Sequence, residues 1–217
     1  NWLGALRTGA TTGVAARHLA KAESRVMGMI GTGYQAQTQV MAVCHALDIE
    51  EIKVFSRRPE PRIAFAKLMS QAIDVNVVAV ESSKEAVEGS DIVVCLTTTQ
   101  NPVLDGSWLE EGSLLVSAGP VTLDAREVDE LSIKRAARIV VDSLEQAPYE
   151  AGELVDAVNK GVIGWDQVAE LKDVVAGLIP GRRNHHENIY VKHFGMGLVD
   201  IVAAKLAYDL AKEECVG

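Results

Sequence analysis

The feature that most constrains this chain is a glycine-rich turn between a short apolar run and a helical pattern. Residues 27–36 read MGMIGTGYQA, which contains a GxGxxA pattern. Gly31 permits a tight turn, Gly33 removes a side chain where a pyrophosphate must approach the backbone, and Ala36 allows close helix–strand contact. The N-terminus of the helix adds free N–H groups and a positive dipole end. This context favours a dinucleotide-binding turn over a glycine turn without a ligand.

Six short apolar runs, rich in Val, Ile or Leu, have the length of buried parallel strands. They are Arg25–Ile30, Glu51–Ser56, Val75–Val80, Asp91–Leu96, Ser113–Ala118 and Arg138–Asp142. Helical patterns fill the gaps between them at 35–47, 61–72 and 83–87. Such alternation predicts an α/β fold, a Rossmann-type doubly wound parallel sheet.

Two flanks lie outside the predicted sheet. Residues 11–21 have the spacing of a helix, and residues 200–213 form a second helical pattern at the other end. Between Asp142 and that second helix we predict no further strand, and 177–188 has the composition of an exposed loop. We therefore divide the chain into a flanking helix (1–20), a dinucleotide-binding domain (21–175) and a C-terminal loop and helix (176–217).

Composition excludes several classes of function. The formal net charge of −9 argues against nucleic-acid binding, because an acidic surface repels phosphate backbones. Cys44, Cys95 and Cys215 are far apart and form no CxxC pair, so we expect neither a disulfide framework nor a metal site. This usage suits a reducing cytoplasm. No stretch approaches membrane-spanning length, and we expect no membrane contact.

The end of the second predicted strand bears on the cofactor. An acidic residue at this point binds the adenine ribose of NAD, whereas a nearby Arg accommodates the 2′-phosphate of NADP. The sequence here is Ser56-Arg57-Arg58, without an acid. We therefore predict NADP as the cofactor, with NAD as the alternative. Thr97 and Thr98 follow the fourth strand, where they either bind a ribose or phosphate or simply form a polar strand end.

Motifs spread over nearly the whole chain resemble the ornithine cyclodeaminase/mu-crystallin family. They are RTGATTG at 7–13, GTGYQAQTQ at 31–39, PVL at 102–104, REVD at 126–129, VVDS at 140–143, EQA at 145–147, VKHFGMG at 191–197, and Asp200. The resemblance implies a Rossmann domain plus a substrate and dimerisation domain, built mostly from a segment before RTGA. Because RTGA starts at residue 7, we expect most of that segment to be missing here. The flanks should pack toward that domain, and the full-length protein should be a homodimer.

The resemblance also implies an NAD(P)-dependent oxidoreductase. We expect an NADPH-linked reductase of small cyclic imino acids, of the ketimine or pyrroline-carboxylate type. An ornithine cyclodeaminase, an alanine dehydrogenase-like enzyme and a non-enzymatic cofactor-binding protein of mu-crystallin type are the alternatives. Cyclodeaminases carry a catalytic Asp two residues after a glycine, and Val121 occupies that position. Valine cannot exchange a proton, which disfavours a cyclodeaminase and leaves no catalytic residue assigned.

Individual roles follow partly from the resemblance and partly from the motifs described above. Arg7 matches an arginine that contacts the carboxylate of an imino- or amino-acid substrate, a task that suits its bidentate fork. The predicted cofactor contacts are Thr8, Gly31, Gly33, Tyr34, Gln35, Ala36, Ser56, Arg57, Arg58, Thr97, Thr98, Lys192 and Gly195. Glu127 and Asp129 are expected to cap and position a helix at 131–137. Without the preceding segment, we expect this chain to bind cofactor but to lack a complete substrate pocket.

Overall fold

The computed structural model describes residues 2–214, and within them eight strands form one parallel sheet. The strands are β1 (Val26–Ile30), β2 (Glu51–Phe55), β3 (Asn76–Ala79), β4 (Ile92–Cys95), β5 (Leu114–Ser117), β6 (Ala136–Val141), β7 (Val168–Glu170) and β8 (Asn188–Lys192). The helices are α1 (Trp2–Leu19), α2 (Ala36–Ala46), α3 (Pro59–Ala72), α4 (Ser83–Val87), α5 (Glu130–Arg135), α6 (Ala147–Glu150), α7 (Gly152–Asn159), α8 (Leu171–Val175) and α9 (Gly197–Glu213).

The strand order across the sheet is β3-β2-β1-β4-β5-β8-β6-β7. Winding runs outward from β1 to β3, then the chain crosses back so that β4 pairs with the other side of β1. This reversal opens a crevice at the carboxyl ends of β1 and β4, where doubly wound sheets bind their ligands. The predicted fold class is confirmed, and all six predicted strands are present.

The sequence did not predict two of the strands, the short edge strand β7 and the interior strand β8. β8 lies between β5 and β6 near the middle of the sheet, although the sequence placed it in a C-terminal loop and helix. All five of its residues are buried, but Asn188, Tyr190 and Lys192 break the apolar run that marks a buried strand. The partners of these polar groups are distant in the sequence. The side-chain oxygen of Asn188, for example, accepts a hydrogen bond from the Gly112 amide. The division after residue 175 therefore does not follow the sheet.

Helix α1 begins at Trp2, nine residues before the predicted start, and packs against α2. The contact is close because its glycines face the α2 backbone. A Cβ at Gly9 would lie 2.4 Å from the Thr38 carbonyl oxygen, and one at Gly13 would lie 2.9 Å from that of Ala42. The two glycines of the RTGATTG motif thus serve helix–helix packing.

Apolar cores lie on both faces of the sheet, filled mainly by Val, Ile, Leu, Ala and Met. Cys95 is buried and Cys44 is half-buried, both as free thiols, whereas Cys215 lies outside the described residues. Among residues 2–214, no helix is long and apolar enough to cross a membrane. The same residues contain no cluster of three or more His, Cys, Asp or Glu side chains placed to hold a metal ion.

Candidate functional site

A cavity of about 900 Å³ lies at the carboxyl ends of β1, β2 and β4. Seven of the predicted cofactor residues line it: Gly31, Gly33, Ser56, Arg57, Arg58, Thr97 and Thr98. They come from three loops that meet only because β1 is flanked by β2 and β4. The sheet topology therefore brings together the glycine turn, the Ser-Arg-Arg turn and the threonine strand end.

Glycine is required at position 31 by the fold, whereas at position 33 the fold would accept a side chain. Gly31 has a φ of +108°, and a Cβ there would lie 2.2 Å from the Leu96 carbonyl oxygen, so the fold itself requires glycine. Gly33 has no such strain, and a Cβ there would meet none of the described atoms within 4 Å. A side chain at Gly33 would instead fill the cavity in front of the N-terminus of α2. The site therefore fits a dinucleotide whose pyrophosphate lies against this turn.

The Ser-Arg-Arg turn after β2 is held by local contacts. Ser56 Oγ accepts a hydrogen bond from Thr32 Oγ1 (3.0 Å) and donates to the Arg58 carbonyl (3.3 Å). Arg57 and Arg58 are exposed at the cavity wall. Both guanidinium groups are therefore available to an anionic group at this end of the cavity.

Four other predicted contacts do not line the cavity. Thr8 is buried, and its hydroxyl donates to the Gly4 carbonyl within α1 (2.8 Å). Tyr34 is exposed and packs edge-to-face on Trp2. Gln35 caps α2 through its backbone, and Ala36 is buried at the start of the helix. In this structure Ala36 and Thr8 are packing residues, and Tyr34 borders the turn.

Lys192, another predicted cofactor contact, is fully buried at the end of β8. Its Nζ lies 3.2 Å from Glu153 Oε1 and donates to the Pro120 carbonyl at 2.8 Å and to Ser117 Oγ at 3.3 Å. All three nearby groups belong to the protein, and Lys192 is not among the residues that line the cavity. Its position instead ties the loop after β5, which includes Pro120, to β8 and α7.

Lys192 belongs to a polar cluster that the sequence did not reveal, here called the buried polar cluster: Thr97, Ser117, Glu127, Glu153, Tyr190 and Lys192. All of its members are buried except Thr97, which is half-buried and also lines the cavity. Glu127, which is fully buried, accepts hydrogen bonds from the amide (2.5 Å) and hydroxyl (2.7 Å) of Thr97, from Ser117 Oγ (2.9 Å) and from the Gly119 amide (2.8 Å). Glu127 thus fixes the strand ends of β4 and β5. It does not cap a helix, as the sequence had suggested.

Glu153 is the second carboxylate of the buried cluster. Its Oε1 accepts a hydrogen bond from Tyr190 Oη at 2.9 Å and lies 3.1 Å from Ser117 Oγ. Because Ser117 has a single hydroxyl hydrogen, it donates to either Glu153 or Glu127 at one time. Burial, followed by the charge of Glu153, raises the pKa of Tyr190 well above its usual value. Tyr190 is therefore a neutral donor.

Arg7 is the residue predicted to bind the carboxylate of the substrate. Its Nε donates to Asp200 Oδ1 at 2.9 Å, and its side chain is only 20% exposed. No hydrogen bond from its Nη1 or Nη2 to another described residue is present, so the outer fork remains for a ligand. Gly195 packs against the guanidinium: its φ is +86°, and a Cβ there would lie 2.2 Å from Arg7 Nη1.

Asp142 holds the turn beneath Arg7. Its carboxylate accepts hydrogen bonds from the amides of Phe194 (3.0 Å) and Gly195 (2.8 Å) at the end of β8. Burial raises the pKa of Asp142, although these amide bonds oppose the rise. The VVDS and VKHFGMG motifs are therefore joined in space, and together with Asp200 they position Arg7.

His193 follows Lys192 in the chain and precedes the turn at Phe194 and Gly195, and it is buried. Its Nε2 is 2.9 Å from Thr12 Oγ1, which links β8 to α1. Burial, reinforced by the charges of Lys192 and Arg7, lowers the pKa of His193 to about 3. The ring is therefore neutral near pH 7 and is a structural hydrogen-bonding group.

Two further expectations concern the segment after β5. Val121 is 40% exposed beyond the end of that strand, and it carries no group that exchanges protons. Asp129, in contrast, has the predicted capping role, because its carboxylate accepts the Ser132 amide (2.9 Å) at the start of α5.

Comparisons with known proteins agree with this architecture. The sequence model of the ornithine cyclodeaminase/mu-crystallin family matches residues 1–214. An alanine dehydrogenase from Archaeoglobus fulgidus is 37% identical over 213 residues, which are 98% of this chain and 65% of that protein. The chain thus spans slightly less than two thirds of the length of this relative.

Solved structures give the same result. A Δ1-pyrroline-2-carboxylate reductase from Thermococcus litoralis, in complex with NADH and L-proline, is 40% identical, with a TM-score of 0.97 over 100% of this chain and 67% of that one. An archaeal alanine dehydrogenase dimer with bound NAD is 35% identical, with a TM-score of 0.92 over 100% of this chain and 66% of that one.

Proposed function

Because this chain belongs to the ornithine cyclodeaminase/mu-crystallin family, we propose that it forms the dinucleotide-binding part of an NAD(P)-dependent oxidoreductase that reduces small cyclic imino acids. One observation carries the proposal. The carboxyl edge of the sheet holds a cavity lined by the glycine turn, and the turn after β8 at the same edge packs against the Arg7 guanidinium, which Asp200 orients. A reductase of this type needs one place for the dinucleotide and one for a carboxylate.

The residues of this chain would bind and orient both molecules. The turn at Gly33 and the N-terminus of α2 would hold the pyrophosphate, and the free Nη1 and Nη2 of Arg7 would pair with the substrate carboxylate. The nicotinamide, when bound, supplies the hydride. Val121 stands where a cyclodeaminase has its catalytic Asp, so we assign this chain to reduction and not to ammonia release from ornithine.

One name among the relatives supports this chemistry, and another favours a different substrate. The reductase from Thermococcus litoralis carries L-proline, which is the reduced form of a cyclic imine with one carboxylate. The alanine dehydrogenase relative favours a second candidate, oxidoreduction of an open-chain amino acid by the same Arg7 contact. In a protein that carries this chain together with the substrate-binding unit, turnover of NADPH with Δ1-pyrroline-2-carboxylate, compared with turnover with pyruvate plus ammonia, separates the two. Ammonia release from ornithine without net cofactor consumption would contradict both.

We propose NADP as the preferred dinucleotide, with NAD as the alternative. The support is the exposed pair Arg57 and Arg58 at the cavity wall and the absence of an acid at 56–58. A charge-assisted hydrogen bond contributes about 1.5–3 kcal/mol, so NADPH should bind about tenfold to a hundredfold more tightly than NADH. Calorimetric dissociation constants for both dinucleotides, with Arg57→Ala and Arg58→Ala, test this. The preference is wrong if NADH binds as tightly, or if neither variant narrows the gap.

We also propose that α1 and α9 border a second unit for substrate binding and dimerisation. Helix α9 has no buried residue, and Leu198, Ile201, Val202 and Leu206 are each at least 59% exposed. A row of apolar side chains of this size is typical of a surface that packs against protein. In a protein that carries both this chain and that unit, the homodimer should sediment as twice the monomer mass, and a monomer at high concentration would contradict the assignment.

A further inference from the structure

Arg62, in the first turn of α3, is unusual because it is charged and only 3% exposed. Its Nη1 donates to the Ser56 carbonyl at 3.2 Å, and its Nη2 pairs with the carboxylate of Glu81. The guanidinium carbon lies 5.5 Å from the centre of the Phe55 ring. Its Nε has no hydrogen-bond partner among the described residues. Arg62 is thus fixed by one carbonyl and one carboxylate.

These partners lie at the end of the cavity where β2 terminates. Ser56 follows β2, Glu81 follows β3, and the two strands are adjacent and parallel, so both residues lie at the same edge of the sheet. Phe55 and Ser56 line the cavity itself. In a Rossmann fold this is the place of the adenine ribose and of any 2′-phosphate. The Arg62–Glu81 pair therefore lies behind the turn at which the group that distinguishes NADP from NAD would bind.

The pair matters through its charge. A buried guanidinium attracts an anion strongly, because little solvent screens it. Glu81 neutralises that attraction, yet its own side chain is 78% exposed, and it adds a negative charge beside the site. A 2′-phosphate brings close to two further negative charges, whereas a 2′-hydroxyl brings none. Glu81 should therefore weaken binding of the phosphorylated dinucleotide much more than binding of the other.

We infer that Glu81, acting through Arg62, is a specificity-determining residue that restrains the preference for a 2′-phosphate. This inference rests on the proposed dinucleotide site. It does not depend on which dinucleotide the natural chain prefers, because it concerns the change in the ratio of the two dissociation constants. Arg57 and Arg58 supply attraction at the cavity wall, and Glu81 opposes it from behind the turn.

The test measures dissociation constants for NADPH and NADH by calorimetry at one ionic strength, in the natural chain and in Glu81→Gln. Removal of the carboxylate charge should tighten NADPH binding at least about fivefold and leave NADH within about twofold. Glu50→Gln is the matched control. Glu50 is also exposed and also paired with an arginine, Arg25, but it lies before β2 at the opposite edge of the sheet. Circular dichroism checks that each variant is folded.

The outcomes are distinct. The inference is supported if Glu81→Gln binds NADPH more tightly and NADH as before, and if Glu50→Gln changes neither dissociation constant. Binding of both dinucleotides with an unchanged ratio in Glu81→Gln, or an equal change in Glu50→Gln, overturns it and leaves the proposed function intact. If the natural chain binds neither dinucleotide, the proposed function fails and the inference fails with it.

Discussion

The carboxyl edge of this sheet contains two regions that are built in opposite ways. The glycine turn after β1 uses neighbouring residues, and Gly33 is exposed to the cavity. The buried polar cluster at the ends of β5 and β8 takes its members from five separate segments of the chain, and none of Ser117, Glu127, Glu153 and Lys192 is more than 2% exposed. The comparison teaches that binding and stability are carried by different residues along one edge. Substitution of Gly33 should therefore affect ligand affinity, and substitutions in the buried polar cluster should affect unfolding.

The largest effect that would test this division comes from Lys192→Met. The change leaves Glu153 buried without its cation, which typically costs about 3–5 kcal/mol of the free energy of unfolding. Urea denaturation followed by circular dichroism measures it. The double variant Lys192→Met/Glu153→Leu should recover most of the loss, because it removes both charges.

A matched control is available on α9. Lys205 pairs with Asp209 at i,i+4 on the surface, with side-chain exposures of 68% and 44%. Lys205→Met should change the free energy of unfolding by no more than about 0.5 kcal/mol. Similar costs at Lys192 and Lys205 would contradict the role given to the buried cluster.

The next effect is a dependence of stability on pH that originates at His193. In the folded chain its pKa is about 3, against an ordinary value of 6.5. Below pH 6.5 the unfolded chain takes up a proton that the folded chain refuses, so stability falls as the pH drops toward 3. The loss should reach about 2 kcal/mol at pH 5.

His193→Gln should lack this component. Urea denaturation at pH 7.5 and at pH 5 gives the pH-induced loss for each protein, and the loss should be about 2 kcal/mol smaller in the variant. His185→Gln serves as the control, because His185 is an exposed loop residue paired with Glu23. An equal pH-induced loss in the natural chain and in His193→Gln would show that the buried imidazole is not its source.

The same division explains what the sequence could reveal. The turn at 31–36 was predicted because its chemistry depends on local spacing, and the strand–helix alternation gave the fold class. The buried partners of Lys192 could not be predicted, because Glu153 and Pro120 lie far away in the sequence and meet it only through the position of β8. Glu127 was misread for the same reason. The contact of Lys192 with the cofactor stays a prediction. A lysine and a tyrosine two residues apart in an otherwise apolar run were the available signal of a polar cluster.

The pairing of Arg62 with Glu81 shows the same limit from another side. The acid missing from the end of β2 was correctly noted in the sequence, but a carboxylate reaches the neighbourhood from the end of β3. Strand order, which single-sequence patterns do not specify, decides that contact. Arg7 is intermediate: its motif marked it, whereas its partner Asp200 lies 193 residues away.

The central claim, that the turn at Gly33 holds the dinucleotide, is tested most directly by titrating Gly33→Val with NADPH in a calorimeter. A Cβ at this position meets no described atom of the protein within 4 Å and points into the cavity, so the variant should unfold at close to the same urea concentration as the natural chain. It should nevertheless bind NADPH more than about tenfold more weakly, because the side chain occupies the place of the phosphate. Gly31→Ala should do the reverse and lose stability, since its φ is positive and Leu96 is in the way. A folded Gly33→Val chain that binds NADPH with unchanged affinity would contradict the account.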